Sequence, residues 1–243
     1  AMQFEEEGDD LTAAVPSDQT VADAEAFRKA LASAGRAADS ASVVVLGVPP
    51  ARPETDYGYL EVREGAGGEG LDVVRFIEKP ESAQAEDYVR AGHFWNAGIF
   101  VFRPSRLLGE ARRTAPELAA GVAAYRDLAR SGDEAGSERA YAALPSITLD
   151  YAVMEKASHV RAVPLRAGWS DVGTWRALRD LKGGSDERGN LVISDVPVLA
   201  PGVRDSAIVV GPDGVLVLPF EREGELRAAV DRLRRDQAAK KEG

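Results

Sequence analysis

Val43-Val44-Val45-Leu46-Gly47-Val48, stopped at once by Pro49-Pro50, is the stretch on which the fold turns. It is a continuous apolar run rich in β-branched residues, with no polar alternation, and such a strand has both faces covered. Upstream, Leu11 to Val15 is a second short apolar run, broken by Pro16 and followed by the loop Pro16-Ser17-Asp18. Between the two runs the spacing predicts a helix from about Asp23 to Ala34, with Ala24, Phe27, Ala30 and Leu31 on one face and Gly35 as its stop. Strand, helix and strand in this order predict a βαβ unit, and so a sheet that is parallel in part.

Outward from that unit the elements alternate. Tyr59–Arg63 and Leu71–Lys79 flank the glycine-rich stretch from Glu64 to Gly70 and read as a hairpin. Ser82–Ala91 is a predicted helix stopped by Gly92, and Ile99–Phe102 a buried strand. Pro104–Arg113 and Pro116–Arg130 are helices opened by proline, followed by an expected polar loop at Gly132–Gly136. Asp150–Lys156 reads as a short helix, His159–Pro164 as a strand, and Thr174–Leu181 as a helical run. After Asn190 the texture changes: Ala207–Val210, the turn Pro212-Asp213-Gly214 and Val215–Leu218 make a β-hairpin, and Glu223–Arg235 a charged helix. The expected organisation is an α/β domain over residues 10–190, a hairpin-and-helix extension over 191–235 and a frayed tail over 236–243.

Composition narrows the chemistry. The 243 residues hold 30 Lys plus Arg against 40 Asp plus Glu, a formal charge of −10, and no basic stripe that would displace counterions from nucleic acid. There is no cysteine, so thiolate nucleophiles, disulfides and sulfur-ligated metals are excluded. His93 and His159 are the only histidines, which leaves carboxylates to hold any divalent ion and favours Mg²⁺ or Mn²⁺. No apolar run is long enough to span a membrane and no signal-peptide pattern opens the chain, so the expected location is cytoplasmic. Ala1 before Met2 reads as a cloning remnant or a start within a longer sequence.

Four acid or amide groups follow β-like runs: Asp18, Glu78, Asn96 and Asp171. In open α/β sheets ligands gather at the carboxyl ends of strands, so these side chains are candidates for one crevice. Each also has a plain reading. Asp18 fits an Asx turn, Glu78-Lys79-Pro80 a solvated strand end, and Asp171 an N-cap for the helix after Gly173. Asn96, between Trp95 and Ala97 ahead of a buried strand, is an amide that needs partners. Lys79 is a flexible point charge suited to a phosphate, and Tyr57-Gly58-Tyr59 sets a glycine where a ligand can approach the backbone. Asp150 and Glu155 bracket the apolar Ala152, Val153 and Met154 and read as structural. No Gly-x-Ser-x-Gly elbow supports acyl transfer.

Taken together, several segments resemble the mannose-1-phosphate guanylyltransferases (GDP-mannose pyrophosphorylases) of the sugar nucleotidyltransferase superfamily. They are Pro16-Ser17-Asp18, Pro53 to Tyr59, Phe76-Ile77-Glu78-Lys79-Pro80, Phe94-Trp95-Asn96-Ala97-Gly98-Ile99-Phe100, Leu149 to Lys156 and Gly168 to Trp175, in family order. The resemblance implies a Rossmann-like, GT-A-like α/β fold, a mixed sheet flanked by helices with a small hairpin-plus-helix extension. It implies transfer of a guanylyl group from GTP to mannose 1-phosphate, giving GDP-mannose and pyrophosphate. Carried over position by position, Asp18 and Asp171 would hold Mg²⁺ (or Mn²⁺). Tyr57, Gly58, Glu78 and Asn96 would bind the sugar, and Lys79 its phosphate. Gln19 and Asp56 depart from the family's usual His and Gly. The glycine-rich, basic loop that the family uses for the triphosphate has no counterpart in the acidic stretch Gln3–Asp10. The expectation is therefore a chain with the sugar and metal half of a site, weakly active or inactive alone, with oligomeric state left open between a homodimer and pairing with a chain that supplies the nucleotide half. The alternatives are a non-catalytic binding relative or regulatory subunit, or transfer with another sugar or base.

Overall fold

The valine run is strand β3 (Val43–Val48), buried at every position. It lies inside a six-stranded mixed sheet with β1 (Thr12–Ala14), β4 (Tyr59–Glu64), β5 (Leu71–Ile77), β6 (Phe94–Phe102) and β7 (Val160–Pro164), in the order β1-β6-β3-β7-β5-β4. The computed structural model describes residues 8–39, 41, 43–65, 69–182 and 186–241. The predicted hairpin of β4 and β5 is present, its register running from Tyr59 opposite Ile77 to Glu64 opposite Leu71. Its tip at 66–68 lies outside the described residues, as does the greater part of the acidic stretch Gln3–Asp10.

The sheet is parallel in part, as expected, but not where the βαβ reading put it. The parallel neighbour of β3 is β7, with Val43 opposite Val160 and Gly47 opposite Pro164. Strands β1 and β3 point the same way with β6 between them, antiparallel to both. Strand β6 has nine residues and buries both faces, so it takes an inner seat, whereas three-residue β1, half exposed, serves only as an edge.

Alternation along these strands builds a core on each face. On one, Val44, Leu46, Tyr59, Trp95, Ala97 and Ile99 meet Ala30, Ala34 and Ala37 of helix α1 (Ala24–Ala37). On the other, Val43, Val45, Leu60, Phe76, Phe100 and Phe102 meet Leu107, Ala152 and Met154. These come from α3 (Pro104–Thr114), the short helix α6 (Leu149–Ala152) and the 3-10 turn Met154–Lys156; α2 (Ser82–Arg90) precedes β6. Asp23 caps α1 by accepting from Glu25 N and Ala26 N at 3.0 and 2.9 Å.

One helix was not foreseen. Helix α4 (Pro116–Ser131) ends at Gly132, and the expected polar loop turns straight into α5 (Glu134–Ala142), capped by Asp133 accepting from Gly136 N at 2.8 Å. Its sequence has no apolar period, and its contact with α4 runs through the Tyr125 and Tyr141 rings, 5.7 Å apart.

The chain divides into two compact units, residues 1–17 with 21–169, and residues 18–20 with 170–243. The second contains α7 (Trp175–Lys182) and a three-stranded sheet, β9 (Leu191–Ile193), β10 (Ser206–Gly211) and β11 (Gly214–Pro219). Strands β10 and β11 form the predicted hairpin, and β9 runs parallel to β10. Leu191, Ala207 and Phe220 form the core of this unit with Trp175, Leu178 and Ile193. Helix α8 begins at Leu226, not Glu223, because Phe220–Glu225 is a 3-10 turn with Arg222 outside helical angles. It runs to Lys241, through most of what read as a tail.

Candidate functional site

On β6, Asn96 shares a face with Phe94 and Phe100, and Trp95 points the other way. The Asn96 backbone N–H donates to Gly58 O at 2.8 Å, tying β6 to the turn before β4. Its side chain is held at both ends: Nδ2 donates to Asp150 Oδ1 at 3.1 Å, and Oδ1 accepts from Gly98 N at 2.9 Å. One N–H and one lone pair of the amide remain for a ligand.

Gly58 is buried, and a Cβ there would stand 2.5 Å from Glu78 Oε2 and 3.3 Å from Asn96 Cβ. The Glu78 carboxylate therefore lies against the bare Cα of this glycine. Burial pushes the Glu78 carboxyl up to about 7, with Asp150 and Glu155 adding repulsion and Lys79 opposing it. Burial raises the Asp150 carboxyl as well, against the hydrogen bond from Asn96 and the charge of Lys79. Lys79 is exposed and has φ of +48°, a conformation costly for a side chain other than glycine's. Gly58, Glu78, Lys79 and Asn96 are thus brought together, as a partly dry acidic cluster with one cation. Tyr57 stands beside it, its ring edge-on to Trp95 at 5.1 Å and to Trp169 at 5.8 Å. Trp95 Nε1 is buried with no hydrogen-bond partner among the described residues.

Asp150 is the member that sequence reasoning set aside as structural. The signal that could have found it was Asn96 itself: a half-buried amide on β6 needs a partner from whatever covers that face, and α6 is that cover. Thr148 caps α6 by accepting from Tyr151 N, which leaves the Asp150 carboxylate to Asn96.

Asp18 and Asp171 belong to the second compact unit. They follow from a two-stranded ribbon of β2 (Thr20–Val21) and β8 (Trp169–Ser170). Ala22 N donates to Ala167 O at 2.9 Å, so the chains run antiparallel and leave Asp18 and Asp171 at the same end of the ribbon. Asp18 is exposed in a turn and Asp171 half-buried. A Cβ on Gly173 would stand 2.7 Å from Asp171 Oδ2. Two opening N–H groups of α7 are taken by other residues, Arg176 N by Glu223 Oε1 at 3.0 Å and Ala177 N by Thr174 Oγ1 at 3.1 Å. Among the described residues no three acidic or histidine side chains gather as a protein-only metal site. Asp18 and Asp171 alone would leave the other positions around a hard cation to water and phosphate oxygens.

Relatives carry related names. The chain is 37% identical to the xanthan biosynthesis protein XanB of Xanthomonas campestris pv. campestris (strain B100), over 93% of this chain and 52% of that one. It is 31% identical to the mannose-1-phosphate guanylyltransferase of Escherichia coli (strain K12), over 97% of this chain and 54% of that one. The chain spans about half the length of these curated relatives. Among solved structures it matches one described as "mannose-1-phosphate geranyltransferase" from Thermus thermophilus, with a TM-score of 0.81 and 36% identity over 94% of this chain and 71% of that one. The mixed sheet with helices on both faces is that structure's fold, and the profile of the nucleotidyl transferase family matches residues 1–186, so the chain belongs to that family.

Proposed function

We propose that the cluster of Gly58, Glu78, Asn96 and Asp150 binds the hexose of mannose 1-phosphate, and that the chain serves transfer of a guanylyl group from GTP to that sugar phosphate. The carrying observation is the cluster's donor and acceptor set: the Glu78 carboxylate against a bare glycine Cα, and an amide on Asn96 fixed by a second carboxylate, Asp150, which suits a ligand made of hydroxyl groups. Tyr57, edge-on to two indoles, gives the site a rigid aromatic wall. Lys79, at the rim, is the cation for the sugar's phosphate.

In the reaction a phosphate oxygen of mannose 1-phosphate attacks the α-phosphorus of GTP, the bond from that phosphorus to the α–β bridging oxygen breaks, and pyrophosphate leaves. No covalent intermediate is needed, so the protein's part is positioning and charge neutralisation. Glu78 and Asn96 orient the hexose and Lys79 draws its phosphate into line. Asp18 and Asp171 would hold a Mg²⁺ or Mn²⁺ ion, which would supply charge neutralisation on the phosphates. No helix among the described residues is long and apolar enough to cross a membrane, and a cytoplasmic setting with its GTP supply suits the reading.

Calorimetric titration of the full chain tests the substrate. Mannose 1-phosphate binds at least about tenfold more tightly than either mannose or glucose 1-phosphate, since orientation rests on hydroxyl pairing and Lys79 reads the phosphate. Equal affinity for the three ligands would overturn the assignment.

A further inference from the structure

The second unit contains a cavity of about 380 Å³ that the proposed reaction does not use, lined by Arg176, Arg179, Arg204, Asp205, Phe220 and Glu221 among others. That volume lies within the range of about 300–1,000 Å³ that small-molecule sites occupy. Arg176 and Arg179, one turn apart on α7, both stand over the Phe220 ring, their guanidinium carbons 5.7 and 4.7 Å from its centroid. Phe220 is 4% exposed, so the ring is the floor and the guanidinium groups lie on it. An aliphatic side chain at either helix position would cover this ring with no charge. Two cations on one ring repel each other, and a third at the rim adds to the repulsion unless an anion is shared.

Asp205 and Glu221 also line the cavity but make no ion pair with these arginines among the described residues, and the counter-charges that are paired are weak. Arg179 pairs with its neighbour Asp180, whose side chain is 53% exposed, and Arg176 is 4.0 Å from Glu223, already engaged as a helix cap. Arg204 has no ion-pair partner among the described residues and its side chain is exposed at the mouth. We propose that this cavity is a second binding site, for a small molecule carrying a phosphate or diphosphate group, held by the forked donors of Arg176, Arg179 and Arg204 above the Phe220 ring. Guanidinium groups bind phosphate oxygens in pairs, and stacking on an aromatic face keeps the forks flat and aimed.

The test is calorimetry on the full chain in EDTA, with inorganic phosphate and inorganic pyrophosphate as probes. Pyrophosphate binds one to one and more tightly than phosphate. Arg204→Gln and Arg179→Lys each weaken it at least about fivefold, the second because an ammonium lacks the fork. Lys182→Gln, which removes a charge on α7 outside the cavity, leaves it unchanged, as does Asp171→Ala. Thermal melts of Arg204→Gln match the parent, because that side chain has no partner to lose. No binding by the parent, equal weakening by Lys182→Gln, or survival in both arginine variants would overturn the proposal. Loss in Asp171→Ala with retention in Arg204→Gln would also overturn it, by assigning the anion to the ribbon aspartates.

Discussion

At Gly58 a single hydrogen atom in place of a methyl group separates the proposed sugar site from a packed wall. In Gly58→Ala the new Cβ meets the end of a flexible glutamate side chain, which can swing away, and stands 3.3 Å from Asn96 Cβ, which must give by a few tenths of an ångström. The expected outcome is a melting temperature within a few degrees of the parent and mannose 1-phosphate affinity lower by at least about tenfold. Glu78 gives a pH signature. Its folded carboxyl titrates near 7, above the ordinary 4.5, so the fold binds the proton more tightly than the unfolded chain does. Stability therefore falls as pH rises from about 4.5 to about 7, and the full penalty stands above that. Asp150, also raised, adds in the same sense. Discounted for partial exposure, Glu78→Gln recovers about 1 kcal/mol at pH 8 and nothing at pH 4, and melts across that range check it. Glu78 and Asn96 were legible as candidates because each sits at or beside a strand run. Asp150 was not: its partner is 54 residues away, and only the fold of α6 onto β6 brings them together.

Element by element, what could be read was whatever carried a period or a stop. The valine run, the helix behind Asp23, the proline-opened helices and the late hairpin are strong local signals, and each element stands where it was expected, give or take a few residues. The order of strands is another matter. Nothing local tells Phe94–Phe102 to pass between the first two strands; its length and two-sided burial do, and these are properties of the sheet. Helix α5 escaped because Glu134–Ala142 has a cap but no apolar stripe. The ribbon at Asp18 and Asp171 depends on Gly168, whose φ is +62° and whose added Cβ would meet Ala22 Cβ at 2.7 Å. Gly168→Ala combines strain with a clash against a side chain that has nowhere to go, and costs about 2 kcal/mol or more by chemical denaturation. Electron paramagnetic resonance of Mn²⁺ with mannose 1-phosphate present tests the aspartates: bound signal is lost in Asp18→Ala and Asp171→Ala and retained in Asp180→Ala.

For the whole molecule, burial sets a gradient of stability within each unit. Strands β3 and β7, paired on both sides and buried, hold the slowest-exchanging amides of the first unit. Leu46→Ala there costs about 2–5 kcal/mol, because the side chain has no exposure and leaves a cavity between sheet and α1. Helix α8, charged and with no residue buried among those described, exchanges fastest in the second unit. The net charge of −10 was legible, and its meaning is local: an acidic chain can still serve a phosphorylated ligand if one lysine stands at the right rim. The most direct trial of that account is a crystal structure of the chain soaked with mannose 1-phosphate. The account predicts hexose density within hydrogen-bond distance of Glu78 and Asn96, with the phosphate on the Lys79 side. Ordered hexose bound elsewhere, with Glu78 and Asn96 untouched, would contradict it.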